Sequence, residues 1–303
     1  MPQILTVFGA TGNQGGSVIN HVLSDAELSK DFKIRAITRD ISKPAAQSLS
    51  KLGVELREAD LNSKLSVADV VKGSHTVFLV TNYWDSAQAG VEVMQGKAVA
   101  DAARDAGVKH IIFSSLLPVE KITGGRLKHV PHFDGKAEIE KYIRKTGVPC
   151  TFFLPGYFMS NYSMLLRKGD DETYILAYPV SKQAKFPLFD AAEDTGKFIK
   201  AIIKNREKLL GKQVLGATDY YTPERIVEEF QEITGQKAKY LQIPPEDFKA
   251  AYPPTIAAEF LENHLFIEEP GYFNGASLEK SLEILEEGTT SWREFLKKSN
   301  DFN

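Results

Sequence analysis

Gly9-Ala10-Thr11-Gly12-Asn13-Gln14-Gly15-Gly16 follows the apolar run Ile4–Phe8 and leads directly into Ser17-Val18-Ile19-Asn20-His21-Val22-Leu23. Strand-like sequence, a glycine-rich turn and helix-like sequence stand in that order, and the glycines at 9, 12 and 15 spell GxxGxxG. In a turn that cradles a pyrophosphate each glycine has its own reason. One makes the tight turn, one lets backbone approach the ligand, and one lets helix pack closely on strand. The first amides of the following helix supply donors and a partial positive charge, which brings Thr11, Asn13 and Gln14 to the phosphates too. A glycine-rich turn without a ligand is the competing reading, and the strand–turn–helix context favours the dinucleotide.

Outward from this turn, short apolar runs alternate with helical patterns, as in a parallel α/β sheet. The sequence predicts strands at Ile4–Phe8, Lys33–Thr38, Val54–Glu58, Thr76–Val80, His110–Ser114 and Cys150–Leu154. Helices are predicted near Gly15–Leu23, Pro44–Leu52, Val67–Lys72, Val91–Ala106 and Asp134–Lys145, with Gly107 and Gly147 as C-terminal caps. Right-handed crossovers then give a doubly wound parallel sheet, a Rossmann fold, over residues 1–155. After Pro155 the segments are shorter and less regular, which predicts a smaller, mostly helical C-terminal domain over 156–303 with some segments returning to the sheet. Thr222-Pro223-Glu224 opens a helix that Gly235 closes; further helices are predicted from Pro254 to His264 and from Ser291, with one strand near Tyr240–Ile243.

Composition narrows the function. The 303 residues carry 37 Lys+Arg against 40 Asp+Glu, a net charge of −3, with no long like-charge run. That balance argues against direct nucleic-acid binding. A single cysteine, Cys150, excludes a disulfide framework and suits a reducing compartment. His75, His110, His129 and His264 have no metal-ligand spacing, so no metal site is expected. No apolar run approaches the roughly 20 residues of a membrane span. The N-terminus reads as a strand rather than a signal peptide. The expectation is a soluble, cytoplasmic protein, with the nucleus as a second compartment.

The second predicted strand ends in Arg39, with Lys43 four residues on, where NAD-binding folds usually carry an acid for the ribose. A guanidinium can fork onto a 2′-phosphate, so NADP(H) is preferred and NAD(H) remains open, because Asp40 stands next to Arg39. Asp60 and Leu61, after the third strand, are placed to flank an adenine; Asp60 reads equally as a cap on the next segment. Thr81-Asn82-Tyr83-Trp84 follows the fourth strand, at the carboxyl edge where such sheets bind ligands. Ser114 and Ser115 end the fifth strand. Pro155, Tyr157 and Phe158 follow the sixth and would form the far wall of a pocket.

The glycine motif, Arg39, Thr81-Asn82-Tyr83-Trp84 and above all His132-Phe133-Asp134-Gly135-Lys136 resemble the NmrA-like family, atypical members of the short-chain dehydrogenase/reductase fold. Gly125-Arg126 and the ending Asp301-Phe302-Asn303 look like its vertebrate NADPH-sensor branch. The resemblance implies NADP(H) in a cleft between a Rossmann domain and a smaller domain. It also sets a question, because carbonyl-reducing relatives use a Tyr-x-x-x-Lys pair. Lys136 stands at the lysine position, and four residues earlier is His132, not tyrosine. The resemblance implies that the lysine holds the nicotinamide ribose and that Ser114 or Ser115 would polarise a carbonyl.

Three functions follow. The first is a redox sensor and transcriptional regulator that acts through protein partners, with residues 116–131 as the flexible segment. The second is an NADPH-dependent oxidoreductase of a small carbonyl, quinone or enone, with Lys136, His132 and Tyr157 as catalytic residues. The third is a scaffold with a vestigial site. A homodimer is compatible with each, and the membrane with none.

Overall fold

The computed structural model describes residues 2–302; Asn303, the last residue of the closing tripeptide, lies outside them. Six strands occupy the first half: β1 (Gln3–Val7), β2 (Phe32–Thr38), β3 (Glu55–Glu58), β4 (Thr76–Leu79), β5 (His110–Ser114) and β6 (Cys150–Pro155). Seven more follow: β7 (Tyr157–Phe158), β8 (Leu166–Lys168), β9 (Tyr174–Tyr178), β10 (Phe186–Phe189), β11 (Gln213–Gly216), β12 (Asp219–Tyr221) and β13 (Ala238–Gln242). The large sheet has the order β11-β6-β5-β4-β1-β2-β3, with every pair parallel. Every residue of β4, β5 and β6 is buried, because helices cover both faces and the strands can be apolar throughout.

The chain reverses its direction of travel across the sheet between β1 and β4. Open α/β sheets hold ligands at the carboxyl ends of the strands at that point.

The seventh strand comes from beyond residue 155. β11 pairs with β6, and the helix Thr195–Lys204 lies on the helix Asn13–Ser24. Their contact is close enough that a Cβ on Gly196 would sit 2.2 Å from the Ser17 carbonyl oxygen. A cut at residue 155 would therefore remove part of the large sheet.

The rest of the second half mixes helices with two three-stranded sheets, β12-β10-β7 and β13-β9-β8. The sequence predicts only one of these strands. The others are two to five residues long, too short to display alternation. The helices obey their punctuation. Thr222 accepts from the Arg225 amide at 3.2 Å to start Pro223–Thr234, and Gly235 ends it at φ 70°. Ser291 and Glu294 form a capping box on Trp292–Lys298, whose Trp292 is wholly buried and donates to the Ile226 carbonyl at 3.1 Å.

Residues 116–131, expected to be a flexible segment, are packed. Val119, Leu127 and Val130 are buried, the His129 amide donates to Glu262 at 2.6 Å, and Arg126 donates to the Glu269 carbonyl at 2.8 Å. The segment is thereby tied to the helix Pro254–Glu268. Among the described residues no helix is long and apolar enough to cross a membrane.

Candidate functional site

Gly9 turns the chain at φ +67°, a conformation that side chains resist, and a Cβ there would lie 2.6 Å from Val80. Gly15 is demanded by packing, since a Cβ would lie 2.3 Å from the Gly9 carbonyl oxygen. Gly12 begins the helix Asn13–Ser24 in extended conformation; no side chain caps it and its first turn holds no acidic residue. Its N-terminal amides are thus left to an anion from outside the chain. A glycine cradle, bare amides and helix dipole converge on one point, and a dinucleotide pyrophosphate fits them.

This loop is one wall of a cleft of about 1020 Å³ along the carboxyl edge of the sheet. Gly9, Thr11, Gly12, Asn13, Gln14, Gly15, Arg39, Asp60, Leu61, Thr81, Asn82, Tyr83, Ser114, Lys136, Pro155, Tyr157, Phe158 and His132 all line it. The fold brings together residues as far apart in sequence as Gly9 and Phe158, and Tyr272 beyond them. Lys43 is the exception. It is exposed at the start of the helix Pro44–Ser50 and does not reach the cleft, because the chain turns away after Asp40.

At the end of β2 the two rivals for the ribose part ways. Arg39 faces the cleft, where its Nη1 lies 2.8 Å from Asp85 Oδ2. Asp40 accepts from the Ser42 amide at 2.8 Å and hydroxyl at 2.6 Å, and these bonds hold its carboxyl below the usual range. A carboxylate spent on its own turn is a poor ribose ligand. Asp60 also makes a local turn, accepting from the Asn62 amide at 2.9 Å, while the following helix is capped by Ser63 instead.

The inner half of the cleft is built on two buried carboxylates that the sequence reading missed. Glu92, on the helix Ala89–Asp105, is 1% exposed and pairs with Lys136; the Thr81 hydroxyl donates to it at 2.6 Å. Lys136 is 3.4 Å from both oxygens of Thr81. Burial pulls the Lys136 ammonium below its ordinary value, and Glu92 pulls it back. Glu259, on the helix Pro254–Glu268, accepts from Tyr83 Oη at 3.1 Å and is bonded to His132 Nδ1. Burial and the Glu259 charge push the Tyr83 phenol well up, so it stays a donor. His132 Nε2 has no protein partner among the described residues.

Neither serine offers a free hydroxyl. Ser114 donates to Gln14 Oε1 at 2.8 Å, and Ser115 donates to Glu140 at 2.7 Å, away from the cleft. Successive strand residues face opposite sides, which separates the two. Tyr157 is 7% exposed, packed edge-on against Tyr162 and Phe186, and burial pushes its hydroxyl up, beyond the range of an easy proton donor. Trp84 is half-exposed at the mouth, stacked on Phe260 at 5.6 Å. A signal for Glu92 existed: it breaks an otherwise apolar helix face, and buried acids need partners. Glu259 gave none, because its partner lies 127 residues away.

Comparison with known proteins matches this arrangement to one family. The model of the NmrA-like family matches residues 1–296. An NmrA-like family domain-containing oxidoreductase of Malbranchea aurantiaca is 33% identical, with 80% of this chain and 76% of that protein covered. An NmrA-like family domain-containing protein of Dictyostelium discoideum is 30% identical over 99% of both chains. Among solved structures, NmrA, a negative transcriptional regulator, in complex with NADP superposes with a TM-score of 0.84 at 22% identity, over 98% of this chain and 95% of that one. The NADPH-dependent quinone oxidoreductase QOR2 of Escherichia coli, with NADPH, gives 0.77 at 22%, over 96% and 98%. With the glycine cradle, the sheet order and a family match over nearly its whole length in agreement, this chain belongs to the NmrA-like family.

Proposed function

We propose that this chain binds NADP(H) in the cleft and acts as a redox-responsive regulator through a protein partner. One observation carries the reading: the tyrosine that would deliver a proton is absent, and the groups that would serve it are engaged. His132 stands in its place, Lys136 is held by Glu92 and Ser114 by Gln14. Gly12 to Gly15 would hold the pyrophosphate, Arg39 a 2′-phosphate, and Thr81 with Lys136 the nicotinamide end. The cofactor, when bound, would supply a hydride. The residues around it bind and orient, and a bound dinucleotide would be read out as shape, through its differential affinity for two states of the protein.

Calorimetric titration with NADPH, NADP⁺, NADH and NAD⁺ tests the binding. The phosphorylated pair should bind at least about tenfold more tightly, and Arg39→Ala should erase the gap. Binding of none of the four would overturn the reading. A regulator further requires that a captured partner bind differently in NADPH and in NADP⁺.

A second reading rests on a different observation. His132 keeps one ring nitrogen free on the cleft wall while Glu259 fixes the other, as in a general acid–base pair. Relatives carrying the name oxidoreductase favour it. NADPH oxidation with a panel of quinones and enones, abolished in His132→Ala, would decide for the reductase; tight cofactor binding without turnover decides for the regulator.

A further inference from the structure

We infer that Asp85 sets the cleft's discrimination between NADP(H) and NAD(H), as a resident competitor for the 2′-phosphate. The inference rests on the reading that this cleft binds the cofactor, and it names a residue that the reading does not need.

The ion pair joins two separate strand ends. Arg39 follows β2 and Asp85 lies in the turn after β4, 46 residues on, and both line the cleft. Arg39 Nη1 meets Asp85 Oδ2 at 2.8 Å. The other oxygen, Oδ1, accepts from Asn82 Nδ2 at 2.7 Å, and Asn82 Oδ1 accepts from the Trp84 amide at 3.2 Å. Asn82 thus fixes the turn and holds the carboxylate where Arg39 finds it. No other anionic side chain pairs with Arg39 among the described residues.

A 2′-phosphate that reaches Arg39 meets an occupied guanidinium. It must displace Asp85 or share the cation with it, and sharing sets a doubly charged group beside a carboxylate. Both routes weaken binding. A cofactor with a 2′-hydroxyl brings no charge and avoids the conflict. Asp85 therefore lowers affinity for the phosphorylated cofactor selectively. The turn has a second end as well. Tyr83 bonds to Glu259, and the Trp84 ring lies 5.4 Å from His132 and 5.6 Å from Phe260. Displacing Asp85 thus disturbs a half-exposed tryptophan that rests on the helix Pro254–Glu268.

The test titrates wild type, Asp85→Asn, Asp85→Ala and Arg39→Ala with NADPH and NADH at low salt, with melting curves to check folding. Both Asp85 variants should bind NADPH about three- to tenfold more tightly. NADH should stay within about twofold of wild type. Adding Asp85→Asn to Arg39→Ala should restore no preference. Adenosine 2′,5′-bisphosphate, which carries no nicotinamide, should change Trp84 fluorescence where 5′-AMP does not. If wild type prefers NADPH and neither Asp85 variant shifts it, the inference falls and the cofactor reading stands. If only Asp85→Asn tightens, its amide has bonded the phosphate, and competition is overturned. If wild type binds neither cofactor, the cofactor reading itself has failed.

Discussion

Lys136 takes its character from a carboxylate 44 residues away. Both partners are buried, at 12% and 1% side-chain exposure, so neither can turn to water if the other is lost. Glu92→Gln leaves a buried ammonium without a counter-charge, and we expect it to cost about 3–5 kcal/mol near neutral pH. The pH sign follows from burial, which already holds the lysine below its ordinary value. A lysine depressed in the folded state sheds its proton there first, so stability rises with pH between its folded pKa and the ordinary lysine range. Removing Glu92 deepens the depression and widens that window. Urea unfolding at about pH 7 and about pH 9.5 should therefore show the wild-type-to-variant gap shrinking at the higher pH. A gap equal at both would mean that Lys136 does not titrate in this range. At this scale the sequence shows Gly9, Gly12, Gly15 and Arg39, because each acts through chain-local geometry. It does not show that Asp40 is spent on Ser42, because the direction of a side chain is decided by its turn.

Elements were legible where their signal is carried by neighbours in sequence. Most strands of the first half announce themselves as short apolar or alternating runs, β3 by little more than Val54 and Leu56, and their helices as spaced apolar faces, two of them closed by Gly107 and Gly147 at φ +67° and +78°. Thr222 illustrates the local logic. Its hydroxyl satisfies the Arg225 amide, so Thr222→Ala should cost about 1 kcal/mol in chemical denaturation. Cofactor affinity should stay unchanged, since the helix Pro223–Thr234 contributes no residue to the cleft. A change in affinity would mean that this helix couples to the site through the sheet β13-β9-β8. Of that sheet and β12-β10-β7 only β13 was legible. The strands are brief and differ in burial, from β10, buried throughout, to β8, exposed at two of three residues, and each partner is chosen by packing rather than by the strand's own residues.

The whole molecule carries two buried histidines held neutral. Burial drives His264 down to about 4 and His110 to about 3. His264 donates from Nδ1 to the Phe260 carbonyl at 2.8 Å, among Tyr178, Phe248 and Phe186. A histidine depressed in the folded state contributes stability that is complete above the ordinary value of about 6.5 and is lost as pH falls toward the folded value. For His264 alone that amounts to about 3 kcal/mol between pH 6.5 and 4. Unfolding midpoints should fall through this range, before the bulk of carboxylates titrate. His264→Phe should flatten the fall by about 1.4 kcal/mol per pH unit. A variant that loses stability as steeply as wild type would remove the histidine from the account.

By itself the sequence determined the doubly wound sheet, the glycine cradle and the Arg39 end of the cleft, all of which depend on order and spacing along the chain; that His132 stands where carbonyl-reducing relatives carry a tyrosine is what the resemblance implies. Only the tertiary structure decided that β11 completes the sheet, that Lys43 points away, and that Glu92, Glu259 and Asp85 hold the residues facing the cleft. Those pairings join elements whose separation in the chain says nothing of their distance in space, and a buried charge is paired with whichever group packing brings beside it.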